Sequence, residues 1–364
     1  MKRKTGKLIG AVLASVMLAG SALAEEVHIF NWSDYIEPSL LKKFEKETGI
    51  KVVYDTFDSN EVLETKLLAG RTGYDVVVPS GSFLARQIKA GVFMKLDKSK
   101  LPNLKNVWPQ IARQLERYDP GNQYAVNYMW GTTGIGYNVD KVKEVLGPDA
   151  PVNSWSLVFD PENMKKLQKC GVHFLDAPAE VIPAALNYIG EDPDSKDPAV
   201  IKKAQPVLEA VRPYVRKFHS SEYINALANG EICVAIGWSG DVLMARDRAA
   251  EAKNGVHVEY SIPKEGAVLW FDNMAIPADA PNPDAAHKFI NFMLDAKNAA
   301  AATNYVFYAN GNLASQKYID KEVLDDPAIY PDAETVKKLY ITTPYPPKIQ
   351  KLVTRMWTRI KTGN

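Results

Sequence analysis

The sequence predicts an α/β protein that contains a mostly parallel sheet and is divided into two lobes. From residue 26 onwards, short apolar runs alternate with amphipathic segments of helical period, which is the order typical of parallel strands covered by helices. One run, "YDVVVPS" at 74–80, is almost continuously apolar, as expected for a strand that is buried on both faces. Residues 25–364 number about 340, more than one hydrophobic core usually accommodates, so two lobes are expected.

The first half of the chain repeats a unit of strand, loop and helix. The predicted strands are "EVHIFNW", "IKVVYDTF" and "YDVVVPS", at 26–32, 50–57 and 74–80. The helices that follow them are predicted at 37–49, 59–70 and 82–91. Gly49 and Gly70 are placed to end the first two helices, and Ser59 is placed to cap the second.

The second half repeats the same unit. Strands are predicted for "GVHFLDA", "ICVAIGW" and "AVLWFDNMAIP", at 171–177, 232–238 and 267–277. Helices are predicted at 179–190, 241–255 and 283–295. No Gly/Ser-rich linker separates the halves, so the lobes are expected to be joined by ordered crossings, one near "YMWGTTGIGYN" (128–138) and one before "YSIPKEG" (260–266).

The N-terminus has the three parts of a secretory signal peptide. The basic head "MKRKTGK" precedes an apolar middle, and Ala22-Leu23-Ala24 forms a small-x-small cleavage site. Residues 1–24 are therefore predicted to be removed by cleavage after Ala24, and the protein to be exported. The alternative is an uncleaved membrane anchor.

The charge balance argues against nucleic-acid binding. The chain has 44 Lys and Arg against 43 Asp and Glu, and the segment 1–24 holds four of the basic residues and none of the acidic ones. The mature chain therefore has a net charge of −3, whereas nucleic-acid binders usually carry a basic surplus.

Two cysteines, Cys170 and Cys233, occur in a chain that is predicted to be exported. One disulfide is the simplest interpretation, and two buried free thiols are the alternative. A bridge between the starts of two neighbouring parallel strands would leave the other ends of those strands level with each other.

Carboxylates and aromatic residues lie together where the predicted strands end. Ligands bind beyond the carboxyl ends of strands in open α/β sheets, so these positions are candidates for a binding site. Taken singly, each acid or hydroxyl is also a plausible helix cap, and each Trp a plausible core residue. The strand-end candidates are Trp32, Ser33, Asp34, Tyr35, Ser80, Ser82, Asp176, Glu180, Trp238, Ser239, Asp241, Trp270 and Asp272.

Three of these loops place a Trp within three residues of an Asp, a coincidence that neither capping nor core packing requires. The negative face of an aromatic ring attracts an ammonium group, and a buried ammonium needs an anion to pair with it. Several acids imply several positive charges. The pattern therefore predicts a site for a flexible, linear di- or triamine.

Long segments of the chain resemble the periplasmic polyamine-binding proteins of ABC importers. The segments are "NWSDYI", "FEKETGIKVVYD", "FDSNEVLE", "LDKSKLP", "GTTGIGYNVDKVKEVLG", "HSSEYINALANGEICVAIGW" and "SIPKEGA". The resemblance implies a two-lobed periplasmic binding protein fold with the ligand in the cleft between the lobes. It also implies a periplasmic location and a membrane ABC permease as partner. No cofactor or metal is expected, and a monomer is expected.

The resemblance carries ligand-binding roles to individual positions, most of which are strand-end candidates. Tyr308 is an addition, since the residues alone suggest a core position for it. Cys170 and Cys233 match positions that resemble the family's disulfide pair. The matched ligand-binding positions are Trp32, Ser33, Asp34, Tyr35, Ser80, Glu180, Trp238, Asp241, Asp272 and Tyr308.

Trp270 departs from the putrescine binders of that family, which tend to have Phe there, and resembles the spermidine-preferring members. It is therefore added to the predicted site, and spermidine is the expected ligand, with putrescine as the alternative. Lobe 1 is predicted to comprise 25–131 and 252–306, and lobe 2 to comprise 132–251 and 307–364.

Two other function classes fit parts of the sequence. The acids Asp241 and Asp272 could serve an exported hydrolase, although the five histidines are scattered and no nucleophile motif is present. A sensor that presents a bound polyamine to a membrane partner other than a permease would have the same features.

Overall fold

The computed structural model describes residues 25–363, so the predicted signal peptide lies outside the described residues. The strands are β1 Glu26–Trp32, β2 Lys51–Phe57, β3 Val76–Val77, β4 Ala125–Asn138, β5 Val172–Phe174, β6 Lys217–Phe218, β7 Val234–Trp238, β8 Val258–Ser261, β9 Leu269–Ala275 and β10 Ala309–Asn310. The first ten helices are α1 Pro38–Thr48, α2 Asn60–Ala69, α3 Gly81–Lys89, α4 Pro109–Leu115, α5 Val139–Leu146, α6 Ser156–Phe159, α7 Pro161–Leu167, α8 Pro178–Tyr188, α9 Pro198–Ile201 and α10 Ala204–Val211. The remaining helices are α11 Tyr223–Ala228, α12 Ser239–Ala252, α13 Pro283–Met293, α14 Ala296–Val306, α15 Lys321–Leu324, α16 Ala333–Val336 and α17 Pro347–Thr362.

Helix α1 shows how the local sequence sets these bounds. Pro38 occupies the first turn, where its missing N–H costs no hydrogen bond, and Glu37 caps the helix by accepting from the backbone N–H of Ser39. Leu40 and Phe44 lie one turn apart on the buried face. Gly49, at a φ of 74°, ends the helix in the left-handed conformation that glycine adopts most easily.

The strands form one mixed sheet in the order β2-β1-β3-β9-β4-β7-β5-β6, with β8 and β10 also paired to β4. The pairs β1–β2, β1–β3, β5–β6 and β5–β7 are parallel. Every pairing of β4 and the β3–β9 pair are antiparallel. The prediction of an α/β sheet is confirmed, but the sheet is less parallel than expected because β4 and β9 run against their neighbours.

The segment 128–138, near which an ordered crossing between the lobes was expected, belongs to strand β4. Its first half pairs with β9 and β10, and its second half pairs with β7 and β8. The glycines of this segment allow close packing. A Cβ on Gly134 would lie 2.5 Å from the carbonyl oxygen of Ser261 and 2.6 Å from the hydroxyl of Tyr260.

Two apolar cores lie on the two halves of this sheet. One is formed around β1, β3 and β9 and includes Phe44 and Phe289. The other is formed around β5 and β7 and includes Trp155 and Phe174. Trp238 packs against both cores, which places the carboxyl end of β7 where the halves meet.

The lobe boundaries remain a prediction, but the pairing of two strands, β8 and β10, differs from the lobes to which they were assigned. The predicted bounds assign β8 to lobe 1 and β10 to lobe 2. In the structure β8 pairs with the second half of β4, and β10 pairs with the first half. We therefore propose that the chain returns to the first half of the sheet between β8 and β9, and leaves it after β10.

Cys170 and Cys233 form a disulfide with a Cα–Cα distance of 5.4 Å, so the alternative of two free thiols is wrong. The bridge joins the residues before two neighbouring parallel strands, since Val172 of β5 pairs with Val234 of β7. This is the arrangement that the sequence analysis considered for a bridge between the two cysteines. No helix between residues 25 and 363 is long and apolar enough to cross a lipid bilayer.

Candidate ligand-binding site

A cavity of about 500 Å³ lies at the carboxyl ends of β1 and β7, against β9. Ten of the eleven residues predicted to bind ligand line it. They are Trp32, Ser33, Tyr35, Ser80, Glu180, Trp238, Asp241, Trp270, Asp272 and Tyr308. The remaining lining residues are Phe57, Asp58, Asn60, Ser220, Ser221 and Ile224.

Asp272 is held in the cavity wall by two hydroxyl groups. The antiparallel pairing of β3 with β9 brings Ser80 beside it, and the Ser80 hydroxyl donates to Oδ1 at 2.6 Å. The hydroxyl of Tyr35 donates to Oδ2 at 2.8 Å. Asn60 donates in turn to Ser80 Oγ at 2.9 Å, which fixes the serine rotamer. The carboxylate is 5% exposed and therefore depends on these donors.

Asp241 has an equivalent environment on the other half of the sheet. Its Oδ1 accepts from the hydroxyl of Tyr308 and its Oδ2 from that of Tyr223, each at 2.7 Å. The residue lies inside the first turn of α12, whose cap position is Trp238. Asp241 is therefore not a helix cap, and the capping interpretation of this residue is wrong.

Glu180 supplies a third carboxylate from the first turn of α8. Thr133, at the centre of β4, donates to its Oε2 at 2.6 Å. Thr133 is fully buried and pairs with Trp238 in the β4–β7 ladder. The crossing strand thus holds the carboxylate of a helix from the second half of the sheet.

Burial raises the pKa of all three carboxyl groups. The pKa of Asp272 rises to about 7 and that of Glu180 to about 7, in each case mainly through loss of solvation. The pKa of Asp241 rises to about 6 for the same reason. The hydroxyl groups that donate hydrogen bonds to these carboxylates stabilise the ionised forms and so limit the rise in pKa. A cation that enters the cavity would therefore ionise these acids fully.

Aromatic rings form the walls between these acids. Tyr308 packs edge-on against Trp270 and Tyr35, with ring centroids 5.2 Å apart in both pairs. Trp32 meets Trp238 edge-on at 5.5 Å, and its indole N–H donates to the carbonyl oxygen of Val78 at 2.9 Å. Such edge-on pairs leave ring faces available to a ligand.

Trp270 is placed by the register of the sheet. It pairs with Gly131 across the β4–β9 ladder, and a Cβ on Gly131 would lie 2.7 Å from its ring atom Cζ2. The indole N–H is buried and has no hydrogen-bond partner among the described residues. Trp270 therefore contributes ring area to the cavity.

Two acids from the strand ends do not line the cavity. Asp34 has a φ of 53° and accepts from Arg248 Nη2 at 2.7 Å, so this predicted ligand-binding residue forms an ion pair near the surface. Its side chain is 44% exposed. Asp176 accepts from Lys361 Nζ at 2.7 Å and from the indole N–H of Trp357 at 2.8 Å.

Tyr223 is the main site residue that the sequence analysis missed. It is fully buried in α11, and its hydroxyl also accepts from the backbone N–H of Trp238 at 3.1 Å. It follows the two-residue strand β6, which was not among the predicted strands. Thr133 was missed because it lies inside β4 and not at the end of a strand.

The geometry suits a linear organic cation with more than one positive charge. The two buried carboxylates of Asp241 and Asp272 and the half-buried carboxylate of Glu180 can pair with ammonium groups, and the ring faces can cover the methylene chain between them. Among residues 25–363, no three His, Cys, Asp or Glu side chains are grouped so that they could hold a metal ion.

Comparison with known proteins identifies the family. The family of bacterial extracellular solute-binding proteins matches residues 39–331. The chain is 55% identical over 366 residues to the putrescine-binding periplasmic protein SpuD of Pseudomonas aeruginosa, with 100% of both chains covered. It is 55% identical over 360 residues to the putrescine-binding periplasmic protein PotF of Escherichia coli, covering 99% of this chain and 97% of that protein.

A solved structure supports the same assignment. The spermidine/putrescine ABC transporter substrate-binding protein PotD from Streptococcus pneumoniae matches with a TM-score of 0.73 at 32% identity, covering 93% of this chain and 99% of that one. These relatives are substrate-binding proteins, so the hydrolase alternative is set aside and the chain is a binding protein, not an enzyme. The chain belongs to the family of bacterial extracellular solute-binding proteins.

Proposed function

We propose that this protein captures a linear polyamine in the periplasm, between two closing lobes, and delivers it to an ABC permease. The observation that carries the proposal is the pair Asp241 and Asp272. Each carboxylate is buried, accepts from two hydroxyl groups and stands among aromatic rings. We also propose that cleavage after Ala24 releases the mature protein.

The energetics favour an ammonium ligand over a neutral one. Removing a carboxylate from water costs several kcal/mol, and a paired cation offsets that cost. A desolvated cation over an aromatic face gains about 2 kcal/mol more. A sugar would meet the same rings but would leave three negative charges uncompensated.

Putrescine is the favoured polyamine. SpuD and PotF, both 55% identical to this chain, are named as putrescine-binding proteins, and they favour putrescine over the spermidine expected from the sequence. Spermidine remains a second candidate because of two observations. Trp270 contributes a wide ring to the cavity wall. Glu180 is a third carboxylate in the cavity, and it could pair with a third ammonium.

Thermal unfolding with added ligands tests the ligand class. Free putrescine or spermidine at 100 times its dissociation constant should raise the free energy of unfolding by about 2.7 kcal/mol. Asp272→Asn and Asp241→Asn should each weaken binding by about 2–5 kcal/mol, because a buried ammonium loses its counter-charge. Asp247→Asn, on the exposed face of the same helix α12, is the matched control and should bind normally. Stabilisation by maltose, an amino acid or iron, with no effect of either polyamine, would refute the proposal.

A further inference from the structure

Helix α17 carries a row of positive charge along one face. The helix contains five basic residues and no acidic one, although the mature chain has a net charge of −3. Lys348, Lys351, Arg355 and Arg359 are spaced three or four residues apart, so they lie on the same face of the helix. All four are exposed, and the row is about 16 Å long at about 1.5 Å per residue. We call these four residues the basic stripe.

The opposite face of α17 anchors the stripe to the protein. Ile349, Val353, Met356 and Trp357 are buried and belong to the apolar core of the second half of the sheet. The indole N–H of Trp357 also donates to a carboxylate oxygen of Asp176 at 2.8 Å. The apolar face of the helix is therefore covered within the protein, and its charged face is the one that a partner can reach.

Most of the stripe has no countercharge within the described part of the chain. Arg359 lies 3.6 Å from a carboxylate oxygen of Glu209. Lys348, Lys351 and Arg355 form no salt bridge with any residue between 25 and 363. Solvated surfaces usually intersperse charges of both signs. A row of cations without anions beside it instead favours a partner surface that supplies the negative charge.

One end of the stripe lies where the two halves of the sheet meet. Gln350, in the first turn of α17, accepts from Arg86 Nη1 at 3.0 Å. Arg86 belongs to α3, which packs against β9 and places Leu84 in the core of the first half. Lys89, one turn further along α3, is exposed and forms no salt bridge within the described part of the chain. Exposed positive charges therefore stand on both sides of the contact between α3 and α17.

We propose that the basic stripe docks on an acidic surface at the periplasmic face of the ABC permease, and that Lys89 extends this docking surface onto the first half of the sheet. The inference rests on the proposed function, because it assigns a surface to the partner named there. Two observations favour the permease over a membrane of anionic lipids. The apolar face of α17 is buried, so the helix has no free apolar face to place in a bilayer. The stripe and Lys89 stand on different halves, so a rigid partner that contacts both senses how the halves are arranged, which a fluid lipid surface does not.

ATP hydrolysis by the permease of the source organism, reconstituted in phosphatidylcholine vesicles, tests this surface. The binding protein is added saturated with putrescine. The double variant Lys351→Glu/Arg355→Glu should need about tenfold more protein for half-maximal hydrolysis, because two attractions become two repulsions. Its dissociation constant for putrescine should stay within about twofold, since neither residue lines the ligand cavity. Raising the ionic strength from about 0.05 M to about 0.3 M should weaken the unmodified protein and narrow the difference.

The double variant Lys42→Glu/Lys46→Glu on α1 is the matched control. These two lysines are exposed, stand four residues apart as Lys351 and Arg355 do, and form no salt bridge within the described part of the chain. The control changes the net charge of the protein by the same amount. It should stimulate hydrolysis at the same concentration as the unmodified protein.

The outcomes separate this surface from its alternatives. Equal losses in the two double variants, or no loss in either, would overturn the proposal. So would binding to phosphatidylglycerol vesicles, or formation of a dimer, that Lys351→Glu/Arg355→Glu abolishes while hydrolysis is unaffected. An unmodified protein that binds putrescine but stimulates no hydrolysis would refute the delivery step of the proposed function. An unmodified protein that binds no polyamine would refute the proposed function as a whole.

Discussion

The indole of Trp270 lies against a glycine in the neighbouring strand. This contact leaves room for the indole to form part of the cavity wall. Gly131 leaves room for ring atom Cζ2, and Tyr308 packs against the same indole with the ring centroids 5.2 Å apart. The indole N–H contributes no hydrogen bond to the described residues. The role of Trp270 is thus the area and shape of its ring, which a smaller aromatic residue would reduce.

Trp270→Phe should shift the choice of amine while leaving the fold intact. The benzene ring covers less of a long methylene chain, so spermidine should lose about 0.5–1.5 kcal/mol of binding relative to putrescine, or about two- to thirteenfold in the ratio of dissociation constants. Trp108→Phe, on a half-buried Trp that does not line the cavity, is the control. Calorimetry that gives an unchanged ratio would show that Trp270 is not a selector.

Sequence reasoning identified the acids and aromatics of the site but could not predict how each one is held. Asp241 follows the apolar run of β7, so its position beyond a strand end is visible in the sequence, whereas Asp272 lies in the middle of β9 and not at a strand end. The partner of each acid depends on strand register and on helix placement, which no local pattern encodes. Tyr223 was missed for that reason. Asp34 does not line the cavity, and its ion pair with Arg248 could not be predicted because it joins residues 214 positions apart.

Strands β5 and β7 show how one covalent bond orients a part of the site. The disulfide joins the residues that precede them, and Trp238 ends β7, five residues after Cys233. At about 3.3 Å per residue the bridge lies about 16 Å from the cavity end of that strand. The bond therefore constrains the chain without touching the ligand cavity.

Replacing both cysteines by alanine should lower stability and spare binding. By the loop-entropy model, a bridge with a sequence separation of 63 contributes about 4 kcal/mol to the free energy of unfolding, so the double variant should lose about 2–4 kcal/mol. The dissociation constant for the polyamine should stay within about twofold of the unmodified protein. Denaturant unfolding and calorimetry measure the two quantities, and a large loss of affinity in a folded variant would contradict the prediction.

The element boundaries show where sequence patterns fail. The periodic segments predicted β1, α1 and α13 almost to the residue, because their apolar spacing and end signals agree. Strand β4 was not among the predicted strands, because glycine within an apolar run usually indicates a bulge or a turn. In this strand the glycines face the side chains of Trp270, Tyr260 and Val242, and only the folded structure shows those neighbours.

At the scale of the whole molecule, ligand binding and protonation compete for the same carboxylates. The pKa values of Asp272, Glu180 and Asp241 are raised to about 7, about 7 and about 6, above the values of an unfolded chain. These three acids therefore bind more protons in the ligand-free protein than in the unfolded chain between about pH 4 and pH 7. Their contribution to the free energy of unfolding should fall as the pH rises through that range, whereas His173, whose pKa burial lowers to about 4, contributes the opposite dependence.

Polyamine affinity should have the opposite pH dependence. The ligand pairs with ionised carboxylates and keeps its ammonium groups charged at these pH values, so acids that are protonated in the empty site must release protons on binding. Below pH 6 each such acid should weaken binding by about tenfold per pH unit, and above about pH 7.5 the affinity should level off. Calorimetry in two buffers of different ionisation enthalpy measures both the affinity and the released protons. A dissociation constant that stays constant from pH 5 to pH 8 would contradict the prediction.

The two acids at the centre of the site stand on opposite halves of the sheet. Asp272 belongs to β9, which pairs with the first half of β4, and Asp241 follows β7, which pairs with the second half. Without a ligand, the like charges of the two carboxylates repel each other, and this repulsion disfavours the close approach of the two halves. A cation between them turns that repulsion into attraction, so the ligand itself joins the two halves. A neutral molecule of the same length would fill the cavity without drawing the halves together.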